Sequence, residues 1–106
     1  MAVIHHHKLV RDKIPEIIEA SGKKCEWEVL HQEAFLERLD AKLNEELNEY
    51  QQDKSMEELA DLLEVMMAVA GARGFSWRDV EQIRRKKAEA RGGFDRRILL
   101  KNVSDD

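Results

Sequence analysis

Two short acidic clusters in this chain combine the residue types and the spacing that metal-dependent chemistry needs. They are Glu45-Glu46-Leu47-Asn48-Glu49 and Glu58-Leu59-Ala60-Asp61. Within each cluster the carboxylates stand three or four residues apart, so they share one face if the segment is a helix. Because like charges at that spacing destabilise a helix, the arrangement needs a counter-charge. A hard divalent cation bound by oxygen ligands would supply it, with Mg²⁺ as the first choice and Mn²⁺ as the second.

The composition places these clusters in a small, folded, helix-rich protein. The chain has 106 residues, of which 42% are hydrophobic and 38% charged, and we expect one domain over residues 1–106. The net charge is −4 and there is no dense basic run, which argues against a nucleic-acid polymer as partner. Cys25 is the only cysteine, so no intrachain disulfide can form and a cytoplasmic location is expected. We expect no membrane partner, because no apolar run is long enough to span a bilayer.

Hydrophobic periodicity and helix-boundary residues predict four helices. The first is short, has Pro15 in its first turn and Asp12 as its candidate cap, and ends at Ser21-Gly22. Ser55 and Ser76 are placed as N-caps of the third and fourth helices, each with an acidic residue three positions later. The second, third and fourth helices are predicted over about residues 32–52, 56–72 and 77–90.

Three further segments show weak strand character. They cover residues 3–10, 24–30 and 97–101. The predicted fold class is therefore mainly all-α: a four-helix bundle that contains an antiparallel helix hairpin, with two short terminal strands at most. The run His5-His6-His7 could bind a transition metal, but we interpret it as a flexible or strand-edge segment.

The third predicted helix is apolar around more than half of its circumference. Its apolar residues are Leu59, Leu62, Leu63, Val65, Met66, Met67, Val69 and Ala70. A helix of this kind is normally buried on several sides, and a four-helix chain of this length can hardly cover it. We infer that a second copy covers it, which gives a homodimer or a higher homo-oligomer.

The acidic positions border the apolar faces of the second and third helices. If the two helices form an antiparallel hairpin, four carboxylates can converge near one end: Glu46, Glu49, Glu58 and Asp61. Carboxylates that lose water in this way either titrate at higher pH or bind a cation. The alternative is a pair of solvated helix faces with salt bridges to Lys42 and Lys54.

Two basic sets accompany the acidic clusters. Arg84, Lys87 and Arg91 share one face of the fourth helix and could bind a polyphosphate, although a solvated basic face is the alternative. The second set lies near the N-terminus and is equally ambiguous; from it we take Lys13 as a further candidate for substrate binding. Its members are Lys8, Arg11 and Lys13.

These motifs resemble a known superfamily. Glu45-Glu46-x-x-Glu49 followed by Glu58-x-x-Asp61 resembles the EExxE…ExxD signature of the MazG-like all-α nucleoside triphosphate pyrophosphohydrolases. Residues 8–15 (KLVRDKIP), 57–65 (EELADLLEV) and 91–94 (RGGF) are similar to a subgroup often described as phosphoribosyl-ATP pyrophosphohydrolase-like. One departure concerns spacing: only eight residues separate Glu49 from Glu58, fewer than the superfamily pattern commonly shows.

The resemblance implies Mg²⁺-dependent hydrolysis of a nucleoside triphosphate between its α and β phosphates, giving a monophosphate and pyrophosphate. House-cleaning of non-canonical nucleotides is the expected role. The motif match makes Glu46, Glu49, Glu58 and Asp61 the metal ligands. Glu45 would be a further ligand or would orient the attacking water, and Glu45 or Glu49 could deprotonate it. Arg84, Lys87 and Arg91 would bind the outgoing pyrophosphate. The alternatives are phosphoribosyl-ATP hydrolysis and a non-catalytic helical module that binds a nucleotide or a protein.

Overall fold

The computed structural model describes residues 2–3 and 7–105, and four α-helices account for the regular structure in these ranges. They are α1 (Ile14–Ala20), α2 (Gln32–Asp53), α3 (Met56–Ala72) and α4 (Trp77–Arg91). The predicted all-α class is confirmed, and the predicted helix boundaries lie within one or two residues of those observed. Of the three histidines in the N-terminal run, His5 and His6 lie outside the described residues.

Local hydrogen bonds explain where the helices begin. The Ser55 Oγ accepts a hydrogen bond from the Glu58 N–H at 3.2 Å, and the Ser76 Oγ accepts one from the Asp79 N–H at 3.1 Å, so both predicted N-caps are confirmed. The predicted Asp12 cap is wrong: α1 begins at Ile14, so the cap position falls on Lys13, whose side chain caps nothing. Pro15 lies in the first turn of α1, where its missing N–H costs nothing.

The predicted strands are absent from residues 2–3 and 7–105. Residues 24–30 and 97–101 are extended connections, and residues 3–10 are described only in part. An isolated strand leaves its backbone groups without a ladder partner, and alternation alone does not provide one. The apolar side chains of these segments are correspondingly exposed, as Val29 at 85% and Leu99 at 79% illustrate.

Helices α2 and α3 form an antiparallel hairpin that positions the acidic clusters. The turn is tight because Lys54 adopts the left-handed conformation (φ 56°) and donates its backbone N–H to the Tyr50 carbonyl at 2.7 Å. At the opposite end, the Gln32 side chain donates to the Ala72 carbonyl at 2.8 Å. The hairpin therefore sets the first two turns of α3 opposite the C-terminal half of α2.

The described chain has little core of its own. Its buried apolar residues are Leu39 and Ala70, and its Cα radius of gyration is 19.1 Å, against roughly 13 Å for a compact chain of this length. Helix packing in residues 2–3 and 7–105 consists of α2 against α3 and a smaller contact of α3 with α4. None of the helices in these ranges has both the length and the apolar character that a membrane crossing requires.

Candidate metal centre

Three carboxylates from two helices meet at the turn end of the hairpin. Glu46 comes from α2, and Glu58 and Asp61 come from the first two turns of α3. One oxygen from each residue lies within 4.8 Å of the other two. The short connection at Lys54 and Ser55 produces this convergence, because it holds the two acidic segments side by side.

Two oxygens in this cluster are buried without a hydrogen-bond partner. They are Oε2 of Glu46 and Oε2 of Glu58. Glu46 is 7% exposed and is the one charged residue that is buried in the described part of the chain. A buried polar atom without a partner is costly. A ligand from outside the chain would remove this cost for the two oxygens.

The protonation equilibria reflect the same crowding. Burial, followed by the negative charge of Glu49, raises the pKa of Glu46 above its usual value, although Lys42 opposes the rise. Burial, followed by the charges of Asp53, Asp61 and Glu46, raises the pKa of Glu58. Both shifts mean that the charged forms of these groups are less favourable here than in a fully solvated glutamate.

The two remaining acids of the first cluster lie beside this group. Glu49 is close enough to Glu46 for its charge to raise the pKa of that neighbour, but it is outside the set of three whose oxygens converge. Glu45 is partly buried and accepts hydrogen bonds from Lys8 and from Lys42, both at 3.4 Å. Of the four predicted ligands, three are therefore brought together and Glu49 stands at their edge.

Basic side chains partly neutralise the cluster. The Lys42 Nζ lies 3.4 Å from Oε1 of Glu46, and the Arg11 guanidinium donates to Oδ1 of Asp61 at 2.8 Å. The Arg11 and Asp61 side chains are 58% and 43% exposed, so this pair contributes little stability and can be displaced. None of these cations reaches the two unpartnered oxygens.

The cluster has the composition of a Mg²⁺ or Mn²⁺ site. Its donors are all carboxylate oxygens, which hard divalent cations prefer, and two of them are buried and unpartnered. They lie on rigid helices, which hold ligands more reproducibly than loops do. The residues present therefore fit the cation that the sequence predicts, with Glu46, Glu58 and Asp61 as ligands and Glu49 within reach.

The basic residues predicted on α4 lie apart from this centre. Within residues 2–3 and 7–105, no hydrogen bond or ion pair joins them to the carboxylates of the hairpin; the residues are Arg84, Lys87 and Arg91. Arg84 instead donates to both carboxylate oxygens of Glu81, and these hydrogen bonds lower the pKa of Glu81. Lys13 is exposed at the N-cap of α1.

The basic residues that contact the acidic clusters in the structure differ from those predicted from the sequence to bind substrate. Lys8 and Arg11 reach Glu45 and Asp61, although only Lys13 of their set is predicted to bind substrate. Arg38, which donates to the His7 carbonyl at 3.1 Å, is not among the candidates predicted from the sequence. Its spacing was the available signal, because Arg38, Lys42 and Glu46 follow one another at four-residue intervals and so share a face of α2.

Comparison of the chain with protein-family models, curated proteins and solved structures finds no match. The function must therefore be inferred from the residues of the site itself.

Proposed function

We propose that this protein is a Mg²⁺-dependent nucleoside triphosphate pyrophosphohydrolase of the MazG-like type, which cleaves between the α and β phosphates. The observation that supports this most directly is the group formed by Glu46, Glu58 and Asp61, with two buried oxygens that have no partner. The EExxE…ExxD pattern independently relates the same residues to that chemistry. The non-canonical nucleotides remain the proposed substrates.

In this proposal the carboxylates of the hairpin bind the cation, and through it they orient the phosphates of the substrate. Glu46, Glu58 and Asp61 would hold the cation, which when bound neutralises the charge of the phosphates. Helix α2 fixes Glu46 in a buried position, and the Ser55 cap fixes the backbone of Glu58. The ligands are thus positioned before substrate arrives, which reduces the cost of ordering them on binding.

The acids at the edge of the cluster can act on water. Glu49 lies beside Glu46 and Glu58, and Glu45 is partly buried near Lys42. Either carboxylate can accept a proton from a water molecule held within hydrogen-bond distance and so make its oxygen a better nucleophile. Because Glu45 already accepts hydrogen bonds from Lys8 and Lys42, we assign the proton-accepting role to Glu49.

We also propose that the active species is a homodimer or a higher homo-oligomer. The outer face of α3 exposes four large apolar side chains at helical spacing: Leu59, Leu63, Met66 and Met67. The described chain measures 70 × 31 × 22 Å, which is too elongated for it to cover this face itself. A second copy with the same face is the partner of matching chemistry, and it would complete a helix bundle around α3.

The decisive experiment is a screen of canonical and damaged nucleoside triphosphates with detection of released pyrophosphate. We expect release from at least one triphosphate in the presence of Mg²⁺ and none in the presence of a chelator. Release of orthophosphate instead would contradict the proposed bond cleavage. If no triphosphate is cleaved but one binds together with the metal, the protein is a nucleotide-binding module and the hydrolase proposal fails.

Phosphoribosyl-ATP is included in the screen as a separate substrate. Preference for it over every nucleoside triphosphate would replace the proposed reaction with phosphoribosyl-ATP hydrolysis. The carboxylate cluster serves both reactions, since the scissile bond in each joins an α to a β phosphate. The comparison of kcat/KM values across the panel distinguishes them.

A further inference from the structure

A small cavity lies between the N-terminal segment and α2, directly beside the metal centre. It has a volume of about 90 Å³, and its walls include Lys8, Arg38, Lys42 and Glu45. The Arg38 guanidinium donates a hydrogen bond to the His7 carbonyl at 3.1 Å, which joins the N-terminal segment to α2. The cavity is thus built from two parts of the chain that are far apart in sequence.

The charge of the cavity is positive. Three of its lining side chains are cationic and one is a carboxylate, Glu45, which lies 3.4 Å from both Lys8 and Lys42. Lys42 also pairs with Glu46 outside the cavity, so the three cations face two carboxylates, which leaves one positive charge in excess. Arginine and lysine together are a common combination for binding phosphate.

The cavity borders the carboxylate cluster through Lys42. The Nζ of this residue lies 3.4 Å from Glu45 and 3.4 Å from Oε1 of Glu46, which is a proposed metal ligand. A ligand in the cavity would therefore contact the same lysine as the metal centre. The volume of about 90 Å³ exceeds what a single water molecule needs, so the cavity has room for a phosphate group.

We infer that the cavity lined by Lys8, Arg38 and Lys42 binds a phosphate group of the substrate, next to the cation held by the hairpin. This assignment rests on the proposed function for its role in turnover, where the cavity would hold the pyrophosphate end of the triphosphate. It differs from the sequence-based expectation, which gave that task to the basic face of α4. Arg84 on that face is already paired with Glu81.

Binding of inorganic pyrophosphate, measured by calorimetry in the presence of Mg²⁺, tests the inference without requiring turnover. Arg38→Gln and Lys8→Gln each remove one charge and touch neither Glu46, Glu58 nor Asp61. We expect each to weaken pyrophosphate binding about tenfold or more, the effect of losing one charge-assisted hydrogen bond. Arg38→Gln should also raise KM for the triphosphate more than it lowers kcat, while the affinity for Mg²⁺ alone stays unchanged.

Arg73→Gln is the matched control. Arg73 is exposed like Arg38, and its ion pair, to Asp40 at 3.3 Å, involves no residue that lines the cavity. This variant should bind pyrophosphate as the wild type does. Circular dichroism of all three variants should show unchanged helix content, since Lys8, Arg38 and Arg73 are all exposed.

The outcomes separate this inference from the proposed function. If triphosphates are cleaved but Arg38→Gln and Lys8→Gln bind pyrophosphate as tightly as the wild type, the cavity is not the phosphate site and the hydrolase proposal stands. If no triphosphate is cleaved but pyrophosphate binding depends on Arg38 and Lys8, the cavity is a phosphate site and the hydrolase proposal falls. A wild-type protein that does not bind pyrophosphate would overturn the inference.

Discussion

Charged side chains are usually exposed and large apolar side chains are usually buried. The turn end of the hairpin and the outer face of α3 are opposite exceptions to this rule. At the turn end, carboxylates are withdrawn from water, and Glu46 is only 7% exposed. On the outer face, leucine and methionine side chains remain in water, as Leu63 at 47% and Met66 at 44% illustrate. Each region is therefore unfavourable for the isolated chain.

We propose a different partner for each of these two regions. Buried carboxylate oxygens without a hydrogen bond require a positive charge, and a divalent cation is small enough to reach them. For the exposed apolar stripe we propose a second copy of the chain, whose own stripe would supply apolar surface. One helix, α3, contributes to both regions, so metal binding and assembly can be separated by substitutions on its two faces.

The largest effect is expected from removing a ligand at the turn end. Asp61→Asn and Glu46→Gln keep the shape of the side chain but remove its charge, so turnover should fall by more than about 100-fold, which exceeds the usual effect of changing a residue that only hydrogen-bonds to a metal ligand. Pyrophosphate release under saturating Mg²⁺ measures the loss. Glu57→Gln is the matched control, because Glu57 is an exposed acid in the first turn of α3 and should leave turnover unchanged. Equal rates in all three variants and the wild type would remove the metal-site assignment.

A charge on the outer face of α3 should break the assembly. Leu63→Lys places an ammonium group in the middle of the apolar stripe, where burial against a second copy would strip it of water. We expect the dissociation constant of the oligomer to rise at least about tenfold, as for a residue at the centre of an interface. Sedimentation velocity over a concentration series measures it, and Val103→Lys, at a residue that is 80% exposed near the C-terminus, is the control. A wild-type chain that stays monomeric at micromolar concentration would refute the interface.

The stabilisation that Mg²⁺ provides should depend on pH. Burial and neighbouring acids raise the pKa of Glu46 and Glu58 in the folded chain, so their contribution to the stability of the metal-free protein is fully present below the unfolded glutamate pKa of about 4.3. That contribution is lost as the pH rises through the raised values. Because Mg²⁺ binds the charged forms, the increase in Tm on adding Mg²⁺ should grow with pH over the same window.

Thermal unfolding with and without Mg²⁺ across a pH series measures this trend. In Glu46→Gln one of the two titrating groups is gone, so the dependence on pH should become shallower. An increase in Tm that is constant from acid to neutral pH would mean that neither buried carboxylate takes part in binding the cation.

The smallest effect is expected from removing the helix caps. One of the two caps lies at the candidate site and the other lies outside it, so the two variants can be compared. Ser55→Ala and Ser76→Ala each remove one capping hydrogen bond and should each lower the free energy of unfolding by about 0.5–2 kcal/mol. Only Ser55 holds the backbone of Glu58, so only Ser55→Ala should also weaken Mg²⁺ binding. Urea denaturation and metal titration give the two quantities, and an equal loss of metal affinity in both variants would contradict the role given to the Ser55 cap.

Local signals in the sequence predicted the helices well. Ser55 and Ser76 are recognisable as N-caps because the hydrogen bond they accept comes from a residue three positions away. Apart from the Asp12 cap, which is one residue too early, the failures arose where the outcome depended on a distant segment. The alternation in residues 24–30 resembles a strand, but no neighbouring strand is present within the described residues to pair with it.

The candidate site shows the same division between local and distant information. Helical spacing was enough to relate Glu58 to Asp61 and to expect convergence with the second helix. It could not indicate that Glu49 lies at the edge of the cluster, or that Arg11, fifty residues from Asp61 along the chain, donates to that residue. The cavity at Arg38 likewise depends on where the N-terminal segment lies across α2.

By itself, the sequence determined which segments are helical, where α3 and α4 begin, and which acids share a helical face, because these depend on periodicity and on contacts within one turn. Only the tertiary structure decided which oxygens are buried without a partner, which cations reach them, and which apolar side chains of α3 stay exposed. Those properties depend on the distance between atoms of different segments, and that distance is set by the Lys54 turn and by the packing of α2 on α3.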